Sequence, residues 1–155
     1  MSIFQNTYFI VPRNGNYDLF EDLNLKSFLE EEGLFDDDLF WEGLNYKYEK
    51  YKDYLMNIFE VGDSWSKKVK IFGNNDTNCL KLFVEEGFIL SVSFRVNFKT
   101  DYAEFLRQVI EFCKINDYLV VDNKLDVLSL DFETINYNII NSTAFKRFND
   151  FFTDG

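Results

Sequence analysis

The sequence predicts an α+β fold, in which a mainly antiparallel sheet, arranged as a meander, packs against two or three helices. Apolar residues alternate with mostly polar ones along residues 88–99, which is the period of a strand with one buried face. Residues 102–113 then place apolar side chains at helical spacing, which is typical of a helix that packs on a sheet. At 155 residues the chain fits a single domain, residues 1–155, that can bury a hydrophobic core.

The segment from Phe88 to Lys99 is predicted as a central strand of the sheet. We expect its buried face to consist of Phe88, Leu90, Val92, Phe94, Val96 and Phe98. Apolar runs at residues 69–72 and 79–84 predict the two preceding strands of a meander. The short link at residues 85–87 predicts a tight hairpin in which Gly87 adopts a positive φ.

A long helix and three further strands complete the predicted sheet layer. The apolar stripe of the helix consists of Tyr102, Phe105, Leu106, Val109, Ile110 and Cys113. Asp101 and Glu104 have the spacing of a capping box at its start. The further strands are predicted at residues 7–11, 118–121 and 127–130. Ser142 is predicted to cap a final helix that carries several phenylalanines on one face.

The charge of the chain is strongly negative. Asp and Glu total 27 against 16 Lys and Arg, which gives a formal net charge of −11. A surface of this sign repels nucleic-acid phosphates and anionic membranes, so we expect neither as a direct partner. Lys67, Lys68 and Lys70 are too few for a nucleic-acid patch. The same charge attracts a basic protein and accelerates its encounter.

The sequence contains no histidine, which excludes Ser-His-Asp and Cys-His catalysis and His-ligated zinc sites. It also lacks the glycine-rich phosphate-binding loops and the nucleophile elbow. We therefore expect a protein that is not an enzyme and that holds no metal and no cofactor. A hydrolase that uses only carboxylates stays open, because such a site leaves no signature in a sequence rich in acids.

The expected location is the cytoplasm. The first residues lack the basic and apolar regions of a signal peptide, and no stretch reaches the roughly 18 apolar residues that span a bilayer. Cys79 and Cys113 belong to no metal or redox motif, so we expect them to be free, buried thiols.

The candidate partner-binding surface lies in the first third of the chain. Residues 1–60 hold 13 acids and five bases, and residues 30–42 contain no base at all. The nominated residues are Glu30, Glu31, Glu32, Asp36, Asp37, Asp38, Trp41 and Glu42. Acids interleaved with aromatics are typical of a surface that captures another protein. The alternative is that the three aspartates begin a helix and that Trp41, with its apolar neighbours, is ordinary core.

The layout of the chain resembles small bacterial immunity proteins encoded beside polymorphic or contact-dependent toxins. The features that carry the resemblance are residues 69–73, an Asn/Asp-rich turn, the strand from Phe88 to Lys99, the long amphipathic helix, and Ser142 to Phe145 before a Phe-rich end. The resemblance implies an acidic, cytosolic, non-catalytic protein that neutralises a toxin by covering its active site. It assigns no contact residue.

The leading hypothesis is therefore an immunity or inhibitor protein that binds a basic toxin domain, such as a nuclease. One alternative is a nucleic-acid mimic that regulates a host factor. Another, from a different class, is a carboxylate-dependent hydrolase or a small-ligand-binding domain.

Overall fold

Six strands of the described chain form one sheet in which every neighbouring pair is antiparallel. The computed structural model describes residues 5–13, 41, 43–74 and 76–142. The strands are β1 (Gln5–Pro12), β2 (Val69–Gly73), β3 (Cys79–Glu85), β4 (Phe88–Asn97), β5 (Tyr118–Val121) and β6 (Val127–Leu128), in the spatial order β2-β3-β4-β1-β5-β6. The helices are α1 (Glu49–Ile58), α2 (Ala103–Asn116) and α3 (Phe132–Ile140). The predicted α+β class, an antiparallel sheet packed against helices, is confirmed.

Strand β4 lies inside the sheet, between β3 and β1, as its alternating sequence predicts. Val92, Phe94 and Val96 are each at most 1% exposed. They belong to the same buried cluster as Leu106 and Val109 of α2. The predicted packing of the middle of this strand against the following helix is therefore confirmed.

The alternation fails at the start of β4, where a bulge shifts the register with β3. The shift falls between Phe83 and Val84 of β3, and Leu90 is the extra residue on β4. Ile89 consequently turns to the core and is 3% exposed. The predicted full burial is wrong for three residues, which are only partly covered: Phe88, Leu90 and Phe98.

The turn between β3 and β4 is formed by Glu86 and Gly87. Both have positive φ, 53° and 84° respectively. Two successive positive φ angles are characteristic of a type I′ turn, whose twist matches that of the strands it joins. The predicted hairpin at Gly87 is confirmed.

Strand β1 lies in the middle of the sheet and joins its two parts. It pairs with β4 from Gln5 to Ile10 and with β5 from Phe9 to Pro12. The meander β2-β3-β4 is thereby connected to the β5-β6 hairpin. The strand predicted at residues 127–130 forms only over its first two residues.

Helix α2 forms where its apolar stripe predicts it. Its buried residues are Leu106, Val109, Ile110, Phe112 and Cys113. The capping box does not form: Asp101 Oδ1 accepts a hydrogen bond from the N–H of Ala103 at 3.2 Å, and no side chain caps the helix at Tyr102. The helix ends at Asp117, which has a left-handed φ of 58°.

Helices α1 and α3 have no counterpart among the predicted elements. Each buries only two residues of its apolar stripe, which leaves a weak periodic signal. Asp131 caps α3 by accepting a hydrogen bond from the N–H of Thr134 at 2.7 Å. The helix predicted to follow Ser142 lies outside the described residues.

The three helices pack on one face of the sheet. Ile10 of β1 lies opposite Val120 of β5, so their side chains point to the same face of the sheet. Tyr8 and Tyr118 are each two residues from that pair and therefore point to this face as well. Tyr8 contacts α3 through a hydrogen bond to Asn138, and the Tyr118 ring packs against rings of α1 and α2. The main core therefore lies between this face and the helices.

Candidate functional site

The acidic residues nominated as the partner-binding surface lie outside the described residues. They are Glu30, Glu31, Glu32, Asp36, Asp37, Asp38 and Glu42. Trp41 is the one nominated residue that the structure describes. The position of Trp41 therefore carries the structural information about this surface.

Trp41 lies in the core. Its side chain is 2% exposed, and its Nε1 donates a hydrogen bond to the carbonyl oxygen of Ile10 at 3.0 Å. An indole that is buried and whose N–H is hydrogen-bonded to a central strand has no exposed surface that a partner could contact. The nomination of Trp41 as a partner contact is corrected here, and the alternative, that it is core, describes this residue.

An aromatic cluster surrounds the indole. Trp41 packs edge-on against Tyr118, with centroids 5.3 Å apart, and against Tyr46, at 5.7 Å. Tyr118 in turn contacts Phe112 of α2 at 5.7 Å. Burial raises the pKa of Tyr118 above its usual range, and the neighbouring Tyr51 raises it further, so the phenol stays neutral.

The backbone after Trp41 is attached to the sheet as well. Tyr46 accepts a hydrogen bond from the N–H of Ile89 at 2.8 Å, and the N–H of Tyr48 donates to Gly87 at 2.9 Å. Trp41 belongs to the acidic segment, residues 30–42, and the core holds it in place. A few residues later the chain is also hydrogen-bonded to β4.

A second polar feature connects β1 to α3. The Tyr8 hydroxyl donates to Asn138 Oδ1 at 2.8 Å, and Asn138 Nδ2 lies 3.5 Å from Asp122 Oδ2. Asp122 Oδ1 accepts hydrogen bonds from the N–H groups of Lys124 and Asp126, each at 2.9 Å. Burial raises the pKa of Tyr8 beyond its usual range, and the charge of Asp122 raises it further. These contacts connect β1 to α3, and the Asp122 carboxyl closes the turn that follows β5.

Two glutamates of α2 line one of the cavities of the described chain. This cavity measures about 380 Å³, lies between α1 and α2, and has Tyr54, Glu104, Arg107 and Glu111 in its lining. The Cα atoms of the two glutamates are seven residues apart on one helix, which is about 10.5 Å along its axis.

A concave surface of the described chain lies between α1 and β2. One cavity, of about 380 Å³, has Met56, Val61 and Phe72 in its lining. A neighbouring cavity of about 560 Å³ extends to the β3–β4 turn. The two share Tyr48, Lys52, Lys67 and Lys70, so they are adjoining parts of one groove, which we call the lysine groove.

The groove is not evident from the sequence, in which Lys67, Lys68 and Lys70 by themselves are too few cations for a binding patch. Lys52 stands 15 positions before Lys67 and joins them only because α1 packs beside β2. The one local signal was the abundance of lysine in residues 47–70 of an otherwise acidic chain.

Within the described ranges, no three His, Cys, Asp or Glu side chains are grouped so that they could hold a metal ion. No helix of the described chain combines the length and the apolar character that a membrane crossing requires. Comparisons of the chain with protein-family models, with curated proteins and with solved structures found no match.

Proposed function

We propose that this chain is a non-catalytic, acidic binding protein of the bacterial cytoplasm that inhibits a basic toxin domain, such as a nuclease. The observation that carries the proposal is the concentration of negative charge before residue 61. Residues 1–60 have a net charge of −8, and residues 30–42 hold seven acids and no base. Like charges placed together repel one another, and a basic partner relieves that repulsion.

The attachment of the acidic segment supports the same proposal. Because Trp41 is buried and hydrogen-bonded to Ile10, the end of the segment has a defined place on the domain. Fixing one end of a segment reduces the conformational entropy that the segment loses when a partner binds. The segment then steers the encounter, while Trp41 holds it and does not itself contact the toxin.

The test begins with affinity capture of the partner from the native host, followed by stopped-flow binding to the purified partner. Neutralising Asp36, Asp37 and Asp38 to Asn should slow association by roughly tenfold at low salt and should flatten its salt dependence. The matched control changes the net charge equally at three exposed sites elsewhere, through Asp76→Asn, Glu111→Gln and Asp126→Asn. We expect the control to change the association rate much less.

Two outcomes would count against the proposal. If both triple variants slow association equally, the net charge of the molecule acts and the acidic segment has no special role. If the captured partner is neither basic nor toxic to the host when expressed alone, toxin inhibition is wrong.

A further inference from the structure

We propose that the lysine groove is a second binding surface, of opposite charge to the acidic segment, and that it takes an acidic polypeptide segment with interspersed apolar side chains. This inference goes beyond toxin inhibition and does not depend on it.

The charge of the groove differs from that of the rest of the molecule. Four lysines line the groove, Lys52, Lys67, Lys68 and Lys70, against three glutamates that all lie in the part nearest the β3–β4 turn, in a chain of net charge −11. Lys68 pairs with Glu85 at 3.0 Å. Lys52, Lys67 and Lys70 line the groove and form no ion pair with any residue that the structure describes. Lys70 lies over the Tyr48 ring, with its Nζ 5.8 Å from the ring centroid, and still has its charge open to a carboxylate from outside, as do Lys52 and Lys67.

The same surface exposes large apolar side chains. Met56 and Val61 line the groove and are 49% and 57% exposed. Trp65, in the loop that carries Ser64 and Ser66 of the groove wall, is 75% exposed. Exposed apolar side chains grouped beside a concave surface mark a site for another polypeptide.

The loop that carries Trp65 is ordered by its own hydrogen bonds. Ser64 Oγ donates to the carbonyl oxygen of Ser66 at 2.7 Å, and that carbonyl accepts from the N–H of Val69 at 3.2 Å. Ser66 Oγ accepts from the N–H of Lys68 at 3.2 Å. A loop that is already ordered loses less conformational entropy when a partner binds, which suits Trp65 as an anchor for that partner.

Charge and apolarity together favour a polypeptide over a nucleic acid. A phosphate backbone carries a charge at every nucleotide and would meet Glu49, Glu85 and Glu86 at the end of the groove nearest the β3–β4 turn. An acidic peptide spaces its carboxylates and fills the intervals with apolar side chains. The carboxylates can then reach Lys52, Lys67 and Lys70, while the apolar side chains contact Met56, Val61 and Trp65.

The test uses the full chain and a fluorescein-labelled peptide in which Glu-Leu-Asp-Phe is repeated three times. Fluorescence anisotropy should show binding that weakens as salt is added, because Lys67 is exposed and Lys52 and Lys70 are partly exposed, so salt screens their charges. The variant Lys67→Glu with Lys70→Glu should weaken binding by at least about tenfold, since reversal replaces attraction by repulsion. Trp65→Ala should weaken it by a smaller factor. A control that reverses Lys114 and Lys124, both exposed on other surfaces, should bind like the unaltered chain.

Every other outcome overturns the proposal. Absence of binding, or binding that Lys67→Glu with Lys70→Glu leaves unchanged, means that the groove is not a peptide site. Equal binding of the same peptide with Gln and Asn in place of its acids would remove the role of charge. Tighter binding of a twelve-nucleotide oligo-dT would assign the groove to nucleic acid. Circular dichroism of each variant establishes that it is folded.

Discussion

Phe94 is the best single residue for testing the core. Its side chain is 1% exposed and stacks on Tyr8 of the neighbouring strand with ring centroids 5.3 Å apart. Phe94→Ala should lower the free energy of unfolding by about 3–5 kcal/mol, the usual cost of removing a buried phenylalanine. Urea denaturation measures this change. Phe83→Ala, on the next strand but 38% exposed, should cost much less, and equal costs would contradict the assignment of the core face.

The two tryptophans should behave in opposite ways. Trp41→Ala removes a buried ring and leaves the Ile10 carbonyl without its donor, so it should destabilise by about 3–5 kcal/mol. Trp65→Ala, at an exposed site, should stay within about 0.5 kcal/mol of the unaltered chain. Fluorescence gives an independent measurement. A Trp65→Phe protein should emit at shorter wavelength and resist acrylamide quenching, and a Trp41→Phe protein should do the reverse. Full quenching of Trp41 in the folded protein would contradict its burial.

At the scale of single elements, the cap of α3 has a pH dependence that can be predicted. Asp131 Oδ1 accepts a hydrogen bond from the Thr134 N–H, and Asp131 Oδ2 accepts one from the Thr134 hydroxyl. These two hydrogen bonds lower the pKa of the carboxyl below its ordinary value of 3.8. A lowered pKa in the folded state means that the ionised carboxylate stabilises the protein above pH 3.8. That contribution is lost as the pH falls through the lowered pKa.

Asp131→Ala should therefore lower the melting temperature at neutral pH. The difference from the unaltered chain should shrink in acid, below the ordinary pKa of the carboxyl. Asp131→Asn is the control, because it keeps a capping oxygen and removes only the charge. At neutral pH, the melting temperature of Asp131→Asn should lie between those of the unaltered chain and Asp131→Ala. A gap for Asp131→Ala that does not change with pH would show that the charge plays no part in the cap.

The elements that the sequence predicted well are those whose pattern is local. Strand β4 and helix α2 have clear periods of two and 3.6 residues, and the β3–β4 turn carries the required glycine. The bulge at Leu90 depends on the register with β3, so no pattern within β4 reveals it. Helix α1 escaped prediction because its tyrosines and lysines give a narrow stripe, in which only Tyr51 and Leu55 are buried.

At the scale of the whole molecule, the position of β1 and the candidate sites depend on distant parts of the chain. The sequence identified a strand at residues 7–11, but its place between β4 and β5 follows from pairings that no local pattern encodes. Trp41 is similar, since the same acid-and-aromatic composition fits an exposed anchor and a buried one. The lysine groove arises from α1 packing beside β2, which brings Lys52 to Lys67 and Lys70.

The central position of β1 also determines the order in which the strands of the sheet can pair. Its residues pair with residues 92–97 and 118–121, so a ribosome synthesises β1 first and its last partner about a hundred residues later. Both edges of β1 lack a partner until β4 is made, and one edge still lacks its partner until β5 is made. Such edges invite pairing with other chains. The β2-β3-β4 meander, whose pairings are local, can form earlier. Pulse-labelling hydrogen exchange during refolding should therefore protect β3 and β4 amides before those of β1. Simultaneous protection would mean that the sheet assembles in one step. Earlier protection of β3 and β4 would mean that the newly made chain completes its sheet only when β5 pairs with β1.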